Sequence, residues 1–115
     1  MRYSIDMLIK IKYTNLESTD AIAAYAEEKF ASISKILSRL DAEGTADLHL
    51  ELALTTHHHQ KGQIYMAKAN LHIPAKTFQV SEEAEDLYAA IDMAKDTLQR
   101  AVEKYKDMKK DEEGK

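Results

Sequence analysis

Three sets of side chains have the types and spacing for chemistry. His57, His58 and His59 are consecutive, and neutral imidazole is a common metal ligand. In an extended chain His57 and His59 share one side while His58 points to the other, so a compact site needs a carboxylate or histidine from elsewhere. No HExxH or other recognised ligand spacing occurs, and the expectation is a polar loop tip that holds no metal and no other cofactor. His49, Glu51 and His72 form the second set, a histidine and carboxylate grouping of the kind used in acid–base catalysis. It comes without a Gly-x-Ser-x-Gly elbow or a Gly-rich phosphate loop, glycine standing only at Gly44, Gly62 and Gly114. Neither an enzyme nor a small-molecule substrate is expected. The third set is cationic. Lys35 with Arg39, Arg100 with Lys104 and Lys106 with Lys110 are like-charge pairs at i,i+4, each costing about 0.2–0.5 kcal/mol on an isolated helix. Such pairs suit contact with phosphates of folded RNA, which positions a domain by shape without reading bases. The opposing reading is a solvated face, with Asp96 placed before Arg100 and Glu103 before Lys106 to neutralise it.

Apolar spacing shows which elements carry these groups. Ile9, Ile11 and Tyr13 alternate with Leu8, Lys10 and Lys12, the period of two that marks a half-buried strand. Ser18, Thr19 and Asp20 offer side-chain oxygens to cap a following helix. Its stripe of Ile22, Ala26, Phe30, Ile33, Leu37 and Leu40 covers about six turns. After a break at 41–44, Leu48, Leu50, Leu52 and Leu54 alternate with Asp47, His49, Glu51 and Ala53 in a second strand. A polar loop from His57 to Gly62 leads to a third, where Ala67, Ala69, Leu71 and Ile73 alternate with Lys68, Asn70 and His72. Pro74-Ala75-Lys76 makes a short turn, and Phe78 and Val80 supply the inward positions of a fourth, shorter strand. The last helix begins near Glu85-Asp86 and carries Leu87, Ile91, Ala94, Leu98, Ala101, Val102 and Tyr105 on one face. Its first turns are acidic (Glu82, Glu83, Glu85, Asp86) and its last turns basic (Lys104, Lys106, Lys109, Lys110), as the helix macrodipole favours. Thr97, Arg100 and Lys104 lie within about 60° of one another, away from the Leu98–Tyr105 stripe.

The order strand, helix, three strands, helix implies a parallel first pair with a right-handed crossover and antiparallel neighbours after it. One apolar face per strand and one stripe per helix are all buried if two helices pack on one side of the sheet. The expected fold class is α+β, a β-α-β-β-β-α two-layer sandwich with a four-stranded mixed sheet. Its other face shows His49, Glu51, Lys68, Asn70 and His72 to solvent. Residues 1–110 form a single domain and 111–115 a disordered tail. At 115 residues, 44% hydrophobic and 31% charged, the chain is long enough for one core. No window approaches 18 consecutive apolar residues, and no basic stretch precedes an apolar core at the N-terminus, which speaks against a membrane span or a secretory leader. The absence of cysteine excludes disulfides and thiol chemistry and suits a reducing cytoplasm. With 16 basic and 20 acidic residues the formal charge is −4, unlike a generic nucleic-acid binder. An RNA role must rest on where the charges sit.

The segment Glu85-Asp86-Leu87-Tyr88-Ala89-Ala90-Ile91-Asp92, followed by Arg100 and Lys104-Tyr105-Lys106, resembles the signature of ribosome hibernation-promoting factors. Glu28-Lys29-Phe30, Asn70-Leu71-His72-Ile73-Pro74 and the order of elements extend the resemblance over roughly residues 5–110. It implies a cytoplasmic, non-enzymatic stress factor, monomeric when free, that binds the small ribosomal subunit and its rRNA between head and body. A domain bound there overlaps the mRNA channel and the tRNA sites and inhibits translation. The resemblance makes Lys29, Arg39, Arg100, Lys104 and Lys106 rRNA-contacting candidates, and Lys35 joins them through its pairing with Arg39. Family members often carry a basic residue where this chain has Ser32, Gln79 and Thr97, and a glycine where it has Ala75. The basic face is therefore thinned. The chain resembles the short form, without the C-terminal dimerisation domain of long members. The alternative is a protein-interaction module of the same fold, with an acidic surface and no strong RNA binding.

Overall fold

The computed structural model describes residues 6–38, 45–55, 62–74 and 76–113, with side chains at all of these except 6, 38, 45 and 109–113. The elements are β1 (Asp6–Thr14), α1 (Asp20–Ser38), β2 (Thr45–Thr55), β3 (Ile64–Ile73), β4 (Lys76–Ala84) and α2 (Leu87–Glu113). They form one sheet in the order β1-β2-β3-β4. β1 runs parallel to β2, and β2–β3 and β3–β4 are antiparallel. This is the α+β sandwich that the alternation and the two apolar stripes require.

Phe30, Ile33 and Leu37 from α1, Leu48, Leu52 and Leu71 from the sheet, and Ile91, Leu98 and Val102 from α2 are fully buried together. Fully burying one such side chain is worth about 1.5–3 kcal/mol, so the shared face of the two layers dominates stability. Among the described residues no polar or charged side chain is buried. α1 begins as its capping residues predict, and Asp86 proves to be the cap of α2. The Ile22 amide donates to Thr19 Oγ1 (3.1 Å) and the Ala89 amide to Asp86 Oδ2 (3.0 Å), each satisfying an N–H that the first turn cannot.

Two boundaries differ from the sequence expectation. β4 has nine residues, as many as β1, and Glu82 and Glu83 belong to it, paired with Ala67 and Met66. The first turn of α2 consequently holds no acid. Glu82 follows Phe78 and Val80 on the helix-facing side, where its carboxylate accepts a 2.6 Å hydrogen bond from Thr97 Oγ1. That bond keeps an inward acid tolerable at the sheet edge. α2 continues to Glu113, three residues into the segment read as a tail, because Lys, Met and Glu predominate there and no glycine or proline interrupts the chain before Gly114. Ala53, expected on the open face, is only 5% exposed, since its small side chain sits between Thr14 and Met66 on the neighbouring strands. Leu40 and the His57–His59 loop lie outside the described residues.

Candidate nucleic-acid interface

The five cationic candidates whose side chains are described, Lys29, Lys35, Arg100, Lys104 and Lys106, do not form one patch. Arg100 and Lys104 stand on the flank of α2 that overhangs β4. Thr97, three residues before Arg100 and seven before Lys104, fixes that flank through its bond to Glu82. The Arg100 guanidinium donates to Thr97 Oγ1 at 3.4 Å, and both Arg100 and Lys104 are exposed. Lys76, the first residue of β4, adds a third cation towards the same end. Its ammonium lies 5.6 Å from the Phe78 ring and 5.7 Å from that of Tyr105, the two rings meeting edge to face at 5.7 Å. The sequence reading missed Lys76 because it looked for like-charge pairs on helices, and this residue reaches the flank from a strand. Its place directly after the Pro74-Ala75 turn was the available signal.

Lys29 lies at the seam between the helices. Its ammonium is 3.7 Å from Asp92 Oδ1 and 5.4 Å from the centre of the Tyr25 ring. The Tyr25 hydroxyl donates to the same carboxylate oxygen at 2.6 Å, and Tyr88 packs edge to face on Tyr25 at 4.7 Å. The bond to Asp92, assisted by burial and by that carboxylate's charge, pushes the Tyr25 pKa up to about 12. Lys106 falls within about 40° of Asp92 on the helix wheel and so faces the seam side rather than the β4 flank. Lys35 is exposed in the last turn of α1. Arg39 lies outside the described residues, as does the Lys110 side chain.

Between the seam and the β4 flank, the outward ridge of α2 is acidic. Asp92, Asp96, Glu103 and Asp107 fall within about 60° of one another. Of these, Asp96 is 3.0 Å from the Lys95 ammonium. A groove of about 560 Å³ at the start of α2, lined by Ile64, Glu83, Ala84, Glu85, Asp86 and Ala89, is likewise acidic and unsuited to phosphate. Along α2 the exposed positive charge among the described side chains thus lies on the flanks, not on the outward ridge.

Residues 9–110 match the sequence profile of the family described as Sigma 54 modulation protein / S30EA ribosomal protein. The chain belongs to this S30EA family. A ribosome hibernation promoting factor of Escherichia coli is 30% identical over 101 residues, 88% of this chain and 95% of the relative. A ribosome hibernation promotion factor of Lactococcus lactis subsp. cremoris is 32% identical over 98 residues, 84% of this chain and 48% of its own length. The S30EA chain described here therefore spans about half of that longer relative. The N-terminal domain of Thermus thermophilus Protein Y superposes with a TM-score of 0.70 at 31% identity, covering 88% of this chain and 99% of that one. A ribosomal subunit interface protein from Coxiella burnetii gives 0.69 at 18% identity over 85% and 96% of the two chains, a likeness of fold. No described helix of this S30EA chain is long and apolar enough to cross a membrane.

Proposed function

We infer that this chain is a ribosome hibernation factor that docks on the small ribosomal subunit through phosphate contacts and inhibits translation under stress by occupying the path of mRNA and tRNA. The observation that carries the reading is the pair Arg100 and Lys104, exposed on one flank of α2 and, among the described residues, held in no ion pair. Membership of the S30EA family and the names of the relatives supply the ribosomal partner. Lys76 extends the same flank. Lys35, Arg39 and Lys106 are secondary contacts in this reading, and Lys29 contributes less because Asp92 neutralises part of its charge.

Replacing Arg100→Glu together with Lys104→Glu alters two exposed positions and leaves the core untouched. The doubly substituted chain is expected to fold normally and to lose co-sedimentation with purified small subunits in a sucrose gradient, along with inhibition of translation in vitro. Undiminished co-sedimentation would reject this flank as the contact surface. One observation favours a second reading: the acidic ridge of α2 would suit docking to a basic protein partner instead. Six or more phosphate contacts lose roughly 10³-fold or more in affinity between 50 and 200 mM salt. Contact of the acidic ridge with a basic protein also weakens with salt, but Arg100→Glu with Lys104→Glu would then leave binding intact or strengthen it, where the phosphate reading requires its loss.

A further inference from the structure

The strand register sorts the helix-free face of the sheet into rows that run across all four strands. One row reads Lys10, His49, Asn70, Gln79, and the next reads Lys12, Glu51, Lys68, Ser81. These two rows hold three lysines against one glutamate, a formal +2 in a chain whose total is −4. Asp47 and Glu83 stand in the rows on either side, and Asp6 holds a register position further out, beyond the row of Asp47. Glu51 is already engaged, its carboxylate accepting a 2.8 Å bond from Thr14 Oγ1. Lys10 and Lys12 are exposed and Lys68 is half-buried, and among the described residues none of the three is in an ion pair. A shallow depression of about 220 Å³ opens where the rows meet, lined by Lys10, Lys12, His49, Glu51 and Asn70, with Ile11 and Leu50 of the intervening positions at its floor.

The chemistry of these rows favours an extended polyanion. Lys10 and Lys12 are about 7 Å apart along β1, and Lys68 lies about 10 Å across the sheet from Lys12. That spacing is comparable with the separation of phosphates along a nucleic-acid strand, while Asn70 and Gln79 add neutral donors between the charges. The depression is too open to enclose a small molecule. The two rows themselves carry no apolar or aromatic side chain, and Leu8, exposed in the next row, is a lone apolar residue where an acidic peptide would need a cluster of anchors for a lasting contact.

We propose that the rows through Lys10, Lys12 and Lys68 form a second phosphate-contact surface for RNA, on the layer opposite the Arg100–Lys104 flank. This rests on the ribosomal reading above and deepens it, because the domain would then be gripped from two sides rather than laid on one. Glu51 acts as the brake of that surface, the single acid within the two rows.

The test measures binding of the full-length chain to purified small subunits between 50 and 200 mM salt. Lys10→Gln, Lys12→Gln and Lys68→Gln combined should weaken binding at least tenfold and reduce the salt slope by about two to three units, near one per lost phosphate contact. Circular dichroism and melting temperature should stay at wild-type values, as all three positions lie off the core. Glu51→Gln, whose amide oxygen can still accept from Thr14, should tighten binding two- to threefold. If the wild-type chain binds and the triple variant matches it in affinity and slope, the sheet surface is excluded while the helix-flank reading stands. A loss of affinity with the slope unchanged would mean that the three lysines act other than through charge on phosphate and would overturn the proposal. A wild-type chain that binds at no salt concentration overturns both readings.

Discussion

Asp92 ties the two helices together. Its carboxylate takes the Tyr25 hydroxyl and stands beside Lys29, joining α1 to α2 with an aromatic contact alongside. Ionising Tyr25 would place a phenolate against that carboxylate, which is why its pKa is held near 12 rather than 10. A folded-state pKa above the unfolded one means stability that is complete below about pH 10 and disappears as pH climbs towards 12. Asp92→Asn should therefore lower the Tyr25 pKa, visible in the pH titration of its ring resonances by NMR. The difference in melting temperature between wild type and variant should hold steady from pH 7 to 9 and shrink above pH 10. A Tyr25 titration indifferent to the substitution would show that burial, not the hydrogen bond, sets its pKa. The contact was not legible beforehand: Tyr25 and Asp92 are distant in sequence, and Lys29 stood out only through the family resemblance, which gave it no partner within the chain. The Arg100–Lys104 pair could be read because both of its members lie on one helix, where spacing alone fixes direction.

Elements were legible wherever period and caps agreed. β1, β2 and β3 follow strict alternation, and Thr19 and Asp86 hold the two helix starts. The boundary between β4 and α2 was not, because the acids from Glu82 to Asp86 read equally as the first turn of a helix, and only the Glu82–Thr97 bond shows why a carboxylate sits on the inward side of a strand. With no acid in its first turn, α2 depends heavily on the Asp86 side chain. Asp86→Ala should cost about 0.5–2 kcal/mol. For a domain of this size, each kcal/mol corresponds to roughly 4–8 °C in melting temperature. Asp86→Asn or Asp86→Ser should recover most of that loss in a thermal melt, because both can still accept from the Ala89 amide. Equal destabilisation by Ala, Asn and Ser would mean that the carboxylate charge at the N-terminus of α2, not the bond to the Ala89 amide, is what Asp86 contributes.

The whole molecule sets its charges in bands: cations on the α2–β4 flank and in the central rows of the open sheet face, acids along the outward ridge of α2. A net charge of −4 averages over these bands, and so composition pointed away from RNA while pair spacing pointed towards it. The bands also make the two functional readings separable by one substitution. Asp96→Asn with Glu103→Gln removes two charges from the ridge without touching the cationic flank. If phosphates approach that flank, the ridge repels them across a distance comparable with the screening length, about 10 Å at 0.1 M salt. The variant should then bind small subunits several-fold faster at 50 mM salt, measured by stopped flow, with the advantage fading by 200 mM. If the ridge is instead the docking surface for a basic protein, the same two substitutions weaken association at every salt concentration. The sign of the change decides which band faces the partner, because neutralising an acid cannot help both a phosphate and a lysine.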